Sequence, residues 1–217
     1  MARLKLPNSM TTQTDIPLFP LGTTLFPGGL LPLQIFEVRY LDMIKRCLKE
    51  SSKFGIVTID HGLEVRKAGE AVTFAQVGTL ASIHSFEALT PALFMIRCKG
   101  EQRFSIQHSE RQVNGLWTAS IELIEADHFV EVPSELFDAS TALRKTLIAI
   151  LEKAEPEEEL AILEPYRFND CSWVSNRWAE LLPLPPPQKQ HLLAMDNPRL
   201  RLDLIAEILQ DLGVLDN

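Results

Sequence analysis

The sequence has few cysteines, no long apolar run and no recognisable export segment. Only Cys47, Cys98 and Cys171 stand among 217 residues, and no two of them form a C-x-x-C pair. This excludes a disulfide framework or zinc knuckle and favours a reducing, cytoplasmic compartment. Residues 1–15 lack the apolar core of a secretion signal. The apolar stretch 24–36 is broken by prolines and glycines and is shorter than the roughly 20 residues that cross a bilayer, so we expect no membrane partner.

Motifs of common enzyme chemistry are also absent. The sequence contains no G-x-x-x-x-G-K-[ST] loop, no G-x-G-x-x-G, no G-x-S-x-G elbow and no S-x-x-K dyad. The five histidines show none of the spacings that place two imidazoles on one helix face toward a metal. We therefore predict a non-enzymatic chain with no metal and no cofactor.

Charge is unevenly distributed along the chain. The net charge is −8, and residues 129–217 hold 8 Lys and Arg against 16 Asp and Glu, whereas residues 1–128 hold 13 of each kind. Nucleic-acid affinity depends largely on Lys and Arg that neutralise phosphates. The acidic balance predicts that nucleic acid is not a partner.

Hydrophobic periodicity changes near residue 130. Before that point apolar residues mostly alternate, which is typical of half-buried strands, and afterwards they recur every three or four positions, which is typical of helices. One helix, 37–50, interrupts the β-rich part, and its predicted apolar face carries Val38, Leu41, Ile44 and Leu48. The pattern predicts an α+β protein with a flexible tail at 1–15, a β-rich, barrel-like unit at 16–130 and a helical bundle at 131–217.

Local signals predict several turns and helix ends. Pro27-Gly28 suits a type II turn, and Lys99-Gly100-Glu101 suits a hairpin turn between two strands. In the helical part we expect Ser134 to cap a helix that runs to about residue 154, a short acidic helix from Pro156, Asp170 as the cap of the next helix, a brief helix at about 188–195, and a last helix between Pro198 and Gly213.

Six motifs follow one another along the chain: Ile16-Pro17-Leu18-Phe19-Pro20-Leu21, Leu25-Phe26-Pro27-Gly28-Gly29, Ile35-Phe36-Glu37-x-Arg39-Tyr40, Val77-Gly78-Thr79, Gly100-x-x-Arg103-Phe104 and Lys189-Gln190-x-Leu192-Leu193. In this order they resemble the N-terminal substrate-recognition domain of the ATP-dependent Lon protease. The resemblance covers residues 16 to about 212. It implies a PUA-like pseudo-barrel followed by a helical bundle. The chain ends where the ATPase and peptidase domains of that protease would begin, so we expect recognition without catalysis.

Two functional hypotheses follow. In the first, a groove between barrel and bundle binds exposed polypeptide segments or one specific protein partner; its candidate wall residues are Phe36, Tyr40, Arg103, Phe104, Trp117, Trp173 and Trp178. For Glu37, Arg39 and Gly78 we expect an architectural role. In the second hypothesis, a pocket in the barrel binds a small molecule or catalyses a reaction, with His84, Cys98 or His108 as its polar groups.

Overall fold

The computed structural model describes residues 14–62, 72–153 and 162–215, which form seven strands, five α-helices and a 3-10 turn. The strands are β1 Thr14–Leu21, β2 Leu30–Ile35, β3 Phe54–His61, β4 Thr73–Phe74, β5 Val77–Thr90, β6 Leu93–Arg111 and β7 Trp117–Leu123. The helices are α1 Val38–Glu50, α2 Phe137–Lys153, α3 Cys171–Leu181, α4 Pro186–Ala194 and α5 Pro198–Asp211, and the 3-10 turn is Ser134–Leu136. The α+β class is confirmed.

Five of the strands close into a barrel. Their order is β1-β7-β6-β5-β3, and β1 pairs with β3 in parallel, so the two ends of the sheet meet. Strand β2 pairs with β6 outside this ring, and the short β4 pairs with β3. The barrel interior is filled by apolar side chains, among them Leu18, Phe104 and Ile121. The alternate side chains that point inward from the strands therefore form a packed core and not an open pocket.

The predicted hairpin at Lys99-Gly100-Glu101 is wrong, because β6 runs without a break through these residues. Gly100 instead lies against the Pro27-Gly28 turn, accepting a backbone hydrogen bond from Gly28 and donating one to Gly29. A Cβ at residue 100 would lie 2.1 Å from the carbonyl oxygen of Phe26. The glycine is required for a close backbone approach, not for a turn.

The Pro27-Gly28 turn itself is present. Gly28 has a φ of +76°, and the N–H of Gly29 donates to the carbonyl of Phe26. This positive φ is what the second central position of a type II turn requires.

Helix α1 begins one residue later than predicted, and its buried face is rotated. Leu41 and Ile44 are buried as expected, but Val38 and Leu48 are exposed. Tyr40, Met43 and Cys47 take their place because Tyr40 stacks on Phe19 with ring centroids 4.0 Å apart. The helix therefore packs through an aromatic pair that its own spacing does not reveal.

Most of the helix ends in the bundle follow the sequence signals. Asp170 caps α3 by accepting from the N–H of Ser172, Pro198 opens α5, and Gly213 follows α5 with a φ of +67°. Ser134 is not a cap, because Ser134–Leu136 form a 3-10 turn before α2 begins. The acidic helix expected from Pro156 lies outside the described residues.

The apolar core of the bundle extends into the barrel. Phe26, from the turn before β2, is fully buried among bundle residues, and Val77 of β5 packs against the same cluster. Among the helices described, none has the length and hydropathy needed to span a membrane.

Candidate functional site

A cleft of about 270 Å³ lies between the barrel and the bundle. Its walls come from the Pro27-Gly28 turn, strand β6, the segment after β7, the 163–167 segment and the first half of α3. Two of the seven candidate wall residues, Arg103 and Trp173, lie in this cleft. Lysine, arginine, aspartate and glutamate side chains all contribute to the lining, so the cleft does not select for one sign of charge.

Arg103 spans the junction between the two parts. Its guanidinium donates to the carbonyl oxygens of Leu193 and Met195, and it forms salt bridges with Asp127 at 3.1 Å and Asp196 at 3.2 Å. The Arg103 side chain is 4% exposed. A guanidinium with this many partners has little freedom to meet a ligand, so Arg103 joins β6 to the bundle.

Asp127 is shared between two arginines. Its second oxygen accepts from Arg201 at 2.8 Å and from the Ser172 hydroxyl at 2.7 Å, and Arg201 also donates to Asn176. Burial by itself would raise the pKa of Asp127, but the hydrogen bond and charge of Arg201, with smaller contributions from Ser172 and Arg103, hold it below its usual range. Asp127 is ionised at neutral pH and links the barrel, α3 and α5.

A second polar contact joins the Pro27-Gly28 turn to α3. Arg177 is fully buried and donates to the carbonyl of Pro27 at 2.9 Å, while Glu180 accepts two hydrogen bonds from Arg177. A Cβ at Gly29 would lie 1.8 Å from the Glu180 carboxylate. Burial raises the pKa of Glu180, although Arg177 and Lys189 act in the opposite direction. This contact holds the turn against α3.

The bundle tryptophans occupy different environments. Trp178 is buried, and its indole N–H donates to the carbonyl of Ala139 at 2.9 Å, so this residue belongs to the bundle core. Trp173 is half-buried and packs against Phe168 and Tyr166 at the edge of the cleft. Substitution of Trp178 would therefore report on folding, not on binding.

The four remaining candidates do not line the cleft. Tyr40 and Phe104 are buried in two different apolar clusters. Trp117 is half-buried and meets Phe74 edge to face at 5.2 Å. Phe36 is 54% exposed but lies at the end of β2, away from the bundle. The predicted set of wall residues is therefore dispersed over the molecule.

The residues expected to be architectural have close packing partners. Arg39 forms a salt bridge with Glu37 at 2.9 Å, donates to the carbonyl of Gly115 and lies over the Tyr40 ring. A Cβ at Gly78 would lie 2.6 Å from both the Ile56 carbonyl and the Phe104 ring. These contacts favour a role for Glu37, Arg39 and Gly78 in stabilising the barrel.

The polar groups of the enzymatic hypothesis do not converge. Cys98 is fully buried, and burial raises its pKa to about 12, so the thiol is not a nucleophile at neutral pH. His84 is exposed on β5, and His108 is exposed on β6, ten residues beyond Cys98 and therefore roughly 30 Å along the strand. Within residues 14–62, 72–153 and 162–215, no three His, Cys, Asp or Glu side chains come together in a way that could hold a metal ion.

Four exposed apolar residues belong to segments at the end of the barrel where β5 and β6 meet. Phe86 is 42% and Leu89 50% exposed, and Phe36 and Val38 follow the end of β2. The register brings these segments together, because Ile35 and Ala88 are both Cα partners of Phe94. We call Phe36, Val38, Phe86 and Leu89 the hairpin patch.

Of the hairpin patch, only Phe36 was predicted from the sequence as a binding residue. Apolar alternation in the sequence of β5 ends at Ile83. The register between β5 and β6 shifts between Thr79 and Ala81, between Ile83 and Ser85, and between Ala88 and Thr90. The run Phe86-Glu87-Ala88-Leu89 before Pro91 was the available signal, since it places two large apolar residues next to a turn.

Comparisons with known proteins agree with the resemblance found in the sequence. The family model of the ATP-dependent protease La (LON) substrate-binding domain matches residues 15–211. The Lon protease of Anaeromyxobacter dehalogenans is 25% identical over 196 residues, which are 89% of this chain and 23% of that protein. The chain therefore spans about a quarter of the length of this curated relative.

Two solved structures share the fold. The crystal structure of a Lon N-terminal domain protein from Xanthomonas campestris has a TM-score of 0.70 and 29% identity, and the match covers 89% of this chain and 98% of that one. The N-terminal domain of the Mycobacterium avium complex Lon protease has a TM-score of 0.58 and 17% identity, covering 91% of this chain and 99% of that one.

Proposed function

Because this chain belongs to the family of LON substrate-binding domains, we propose that it binds exposed segments of other polypeptides and catalyses no reaction itself. The 217 residues hold no phosphate-binding G-x-x-x-x-G-K-[ST] loop, so ATP-driven unfolding is not part of the activity proposed for them. The three cysteines of this chain are buried and free, which suits the reducing cytoplasm in which we place it.

The hairpin patch is the observation that carries this proposal. Aromatic and aliphatic side chains usually lose contact with water on folding, and neighbouring ones that remain exposed mark interaction surfaces. Phe86 is fixed edge-on against Phe94 with ring centroids 5.1 Å apart, so part of its surface is already ordered. An ordered aromatic side chain loses little conformational entropy on binding, which suits a contact point for apolar segments.

The cleft between barrel and bundle is a weaker candidate. Its central side chains, Arg103 and Asp127, are engaged with each other and with the bundle. A polypeptide that entered the cleft would have to displace these buried contacts, which are costly to break.

Binding of a permanently unfolded protein tests the proposal. We expect the purified chain to bind a fluorescently labelled, reduced and carboxymethylated protein in an anisotropy titration, and not the native form of that protein. Phe86→Ser and Leu89→Ser should each weaken the binding about tenfold, because they remove exposed apolar contact surface.

Phe129→Ser is the matched control, since Phe129 is 63% exposed but lies in the segment after β7. It should leave the affinity unchanged, and circular dichroism should show that all three variants are folded. Absence of binding by the wild-type chain, or an equal loss in the control, contradicts the proposal.

A further inference from the structure

We infer that the polypeptide segments bound at the hairpin patch carry acidic residues beside their apolar ones, and that Lys45 and Lys49 of helix α1 bind those carboxylates; this inference rests on the proposed function. Both lysines are exposed on the helix that begins at the patch, since Val38 is a patch residue and also the first residue of α1. The binding surface therefore extends from the end of the barrel along the outer face of α1.

Two ring contacts join Lys45 to the patch. The Lys45 ammonium lies 5.6 Å from the centre of the Phe94 ring, and the Phe86 ring meets the same ring edge to face at 5.1 Å. Phe94 is buried, whereas Lys45 and Phe86 are both exposed to solvent. A ligand that covers the exposed side of Phe86 is therefore also close to a positive charge.

Lys49 continues this line of charge away from the patch. Residues 38, 45 and 49 lie on one face of the helix, because steps of seven and eleven residues are close to two and three full turns. At a rise of about 1.5 Å per residue, Lys45 lies roughly 10 Å and Lys49 roughly 16 Å from Val38 along the helix axis. An extended chain covers these distances in about three and five residues. The carboxylates of a fitting segment therefore follow its apolar residues by about three to five positions.

The two ammonium groups are available to a ligand. In the part of the chain that the structure describes, neither forms an ion pair with a carboxylate. Lys49 lies in the last turn of α1, where the helix dipole by itself favours a cation. That effect falls off within one turn, so it does not account for Lys45.

The local charge of this helix is opposite to that of the whole protein. Residues 38–53 contain five Lys and Arg against two Asp and Glu, whereas the net charge of the chain is −8. Asp42 is exposed on the same face of α1, but Lys45 and Lys49 outnumber it. A positive region on an otherwise acidic protein attracts acidic segments to that region, while the remaining surface repels them.

Peptides that differ only in charge test the inference. Each probe is a labelled ten-residue peptide whose first three residues are apolar and whose sixth and eighth residues are both Glu, both Gln or both Lys. At about 0.02 M salt the Glu peptide should bind about fivefold more tightly than the Gln peptide, and the Lys peptide should bind most weakly. At about 1 M salt these differences should disappear, because exposed charges are then screened.

Substitution of the lysines tests whether the preference arises on α1. Lys45→Gln combined with Lys49→Gln should remove the preference for the Glu peptide and leave the affinity for the Gln peptide unchanged, because only the charges differ. Lys145→Gln combined with Lys153→Gln is the matched control, since both residues are exposed on α2 and the net charge changes equally. The control should keep the full preference.

The outcomes separate this inference from the proposed function. If all three peptides bind equally well, or if the control loses the preference as strongly as the α1 variant, the inference is wrong and polypeptide recognition stands. Binding of unfolded protein without binding of the Glu peptide has the same meaning. If neither unfolded protein nor any peptide binds, the proposed function fails and this inference fails with it. A Glu peptide that binds equally well with Ser at its three apolar positions would identify a general polyanion site and overturn the inference.

Discussion

Arg103 and Asp127 form a 3.1 Å salt bridge in which both side chains are almost fully buried. Asp127 also pairs with Arg201 at 2.8 Å, so one carboxylate balances two guanidiniums from β6 and α5. Breaking a buried pair by removing one partner is far more costly than breaking a surface pair, because a buried charge is left uncompensated. The junction between barrel and bundle therefore depends strongly on a single aspartate.

Asp127→Asn should lower the free energy of unfolding by about 3 kcal/mol, since Arg103 and Arg201 both lose a charged partner. Equilibrium unfolding in urea measures this difference. The matched control is Glu125→Gln, which alters a contact between the exposed side chains of Glu125 and His128 and should change stability by no more than about 0.5 kcal/mol. Equal stabilities of Asp127→Asn and wild type would show that the network contributes nothing.

Stability should also fall in acid for the same reason. The pKa of Asp127 is lower in the folded chain than its ordinary value of 3.8. The stabilisation it gives is therefore complete above about pH 4 and is lost as the pH falls through the folded pKa. Urea unfolding at a series of pH values from 6 to 2.5 should show the difference between wild type and Asp127→Asn shrinking below pH 4. A difference that stays constant over this range would contradict the assignment.

Two glycines should respond very differently to alanine. At Gly100 a methyl group would lie 2.1 Å from the Phe26 carbonyl oxygen, so Gly100→Ala should cost about 3 kcal/mol or more. At Gly213 the added methyl meets nothing within 4 Å, and only the positive φ is unfavourable, so Gly213→Ala should cost about 1 kcal/mol. Thermal unfolding of both variants measures the two losses of stability. Similar losses would mean that the Phe26 carbonyl does not approach β6 closely.

The three thiols should be inert in the native protein. Burial is the main cause that raises the pKa of Cys98 to about 12 and of Cys171 to about 11, and it also raises the pKa of Cys47. Iodoacetamide at pH 8 should therefore modify none of them in buffer and all three in urea, as counted by intact mass. Rapid modification of Cys98 in the native chain would revive the hypothesis of a reactive barrel pocket.

Features determined by neighbouring residues were predictable from the sequence. Asp170 and Pro198 begin their helices where expected, because a cap or first-turn proline acts within a few residues. The family resemblance was predictable because its motifs occur in order along the chain. It is confirmed by the family model, which matches residues 15–211.

Features determined by distant residues were not predictable. Gly100 resembles a turn residue in sequence, and only the Phe26 carbonyl, 74 positions earlier, explains it. Arg103 resembles a residue that could line a groove, but its carboxylate and carbonyl partners come from the segment after β7, from the last turn of α4 and from the α4–α5 connection. The exposure of Phe86 and Leu89 depends on where neighbouring strands end, which a single segment does not encode.

Closure of the barrel has a consequence for synthesis on the ribosome. Strand β1 can pair with β3 early, but its other edge pairs with β7, where Thr14 is the Cα partner of Ile121. At the usual rate of translation, roughly 5 to 20 seconds separate the emergence of these two strands. During that interval the nascent chain holds an incomplete sheet in which one edge of the first strand is unpaired. A protein that we propose to bind unfolded chains is thus itself incompletely folded during the first seconds of its synthesis.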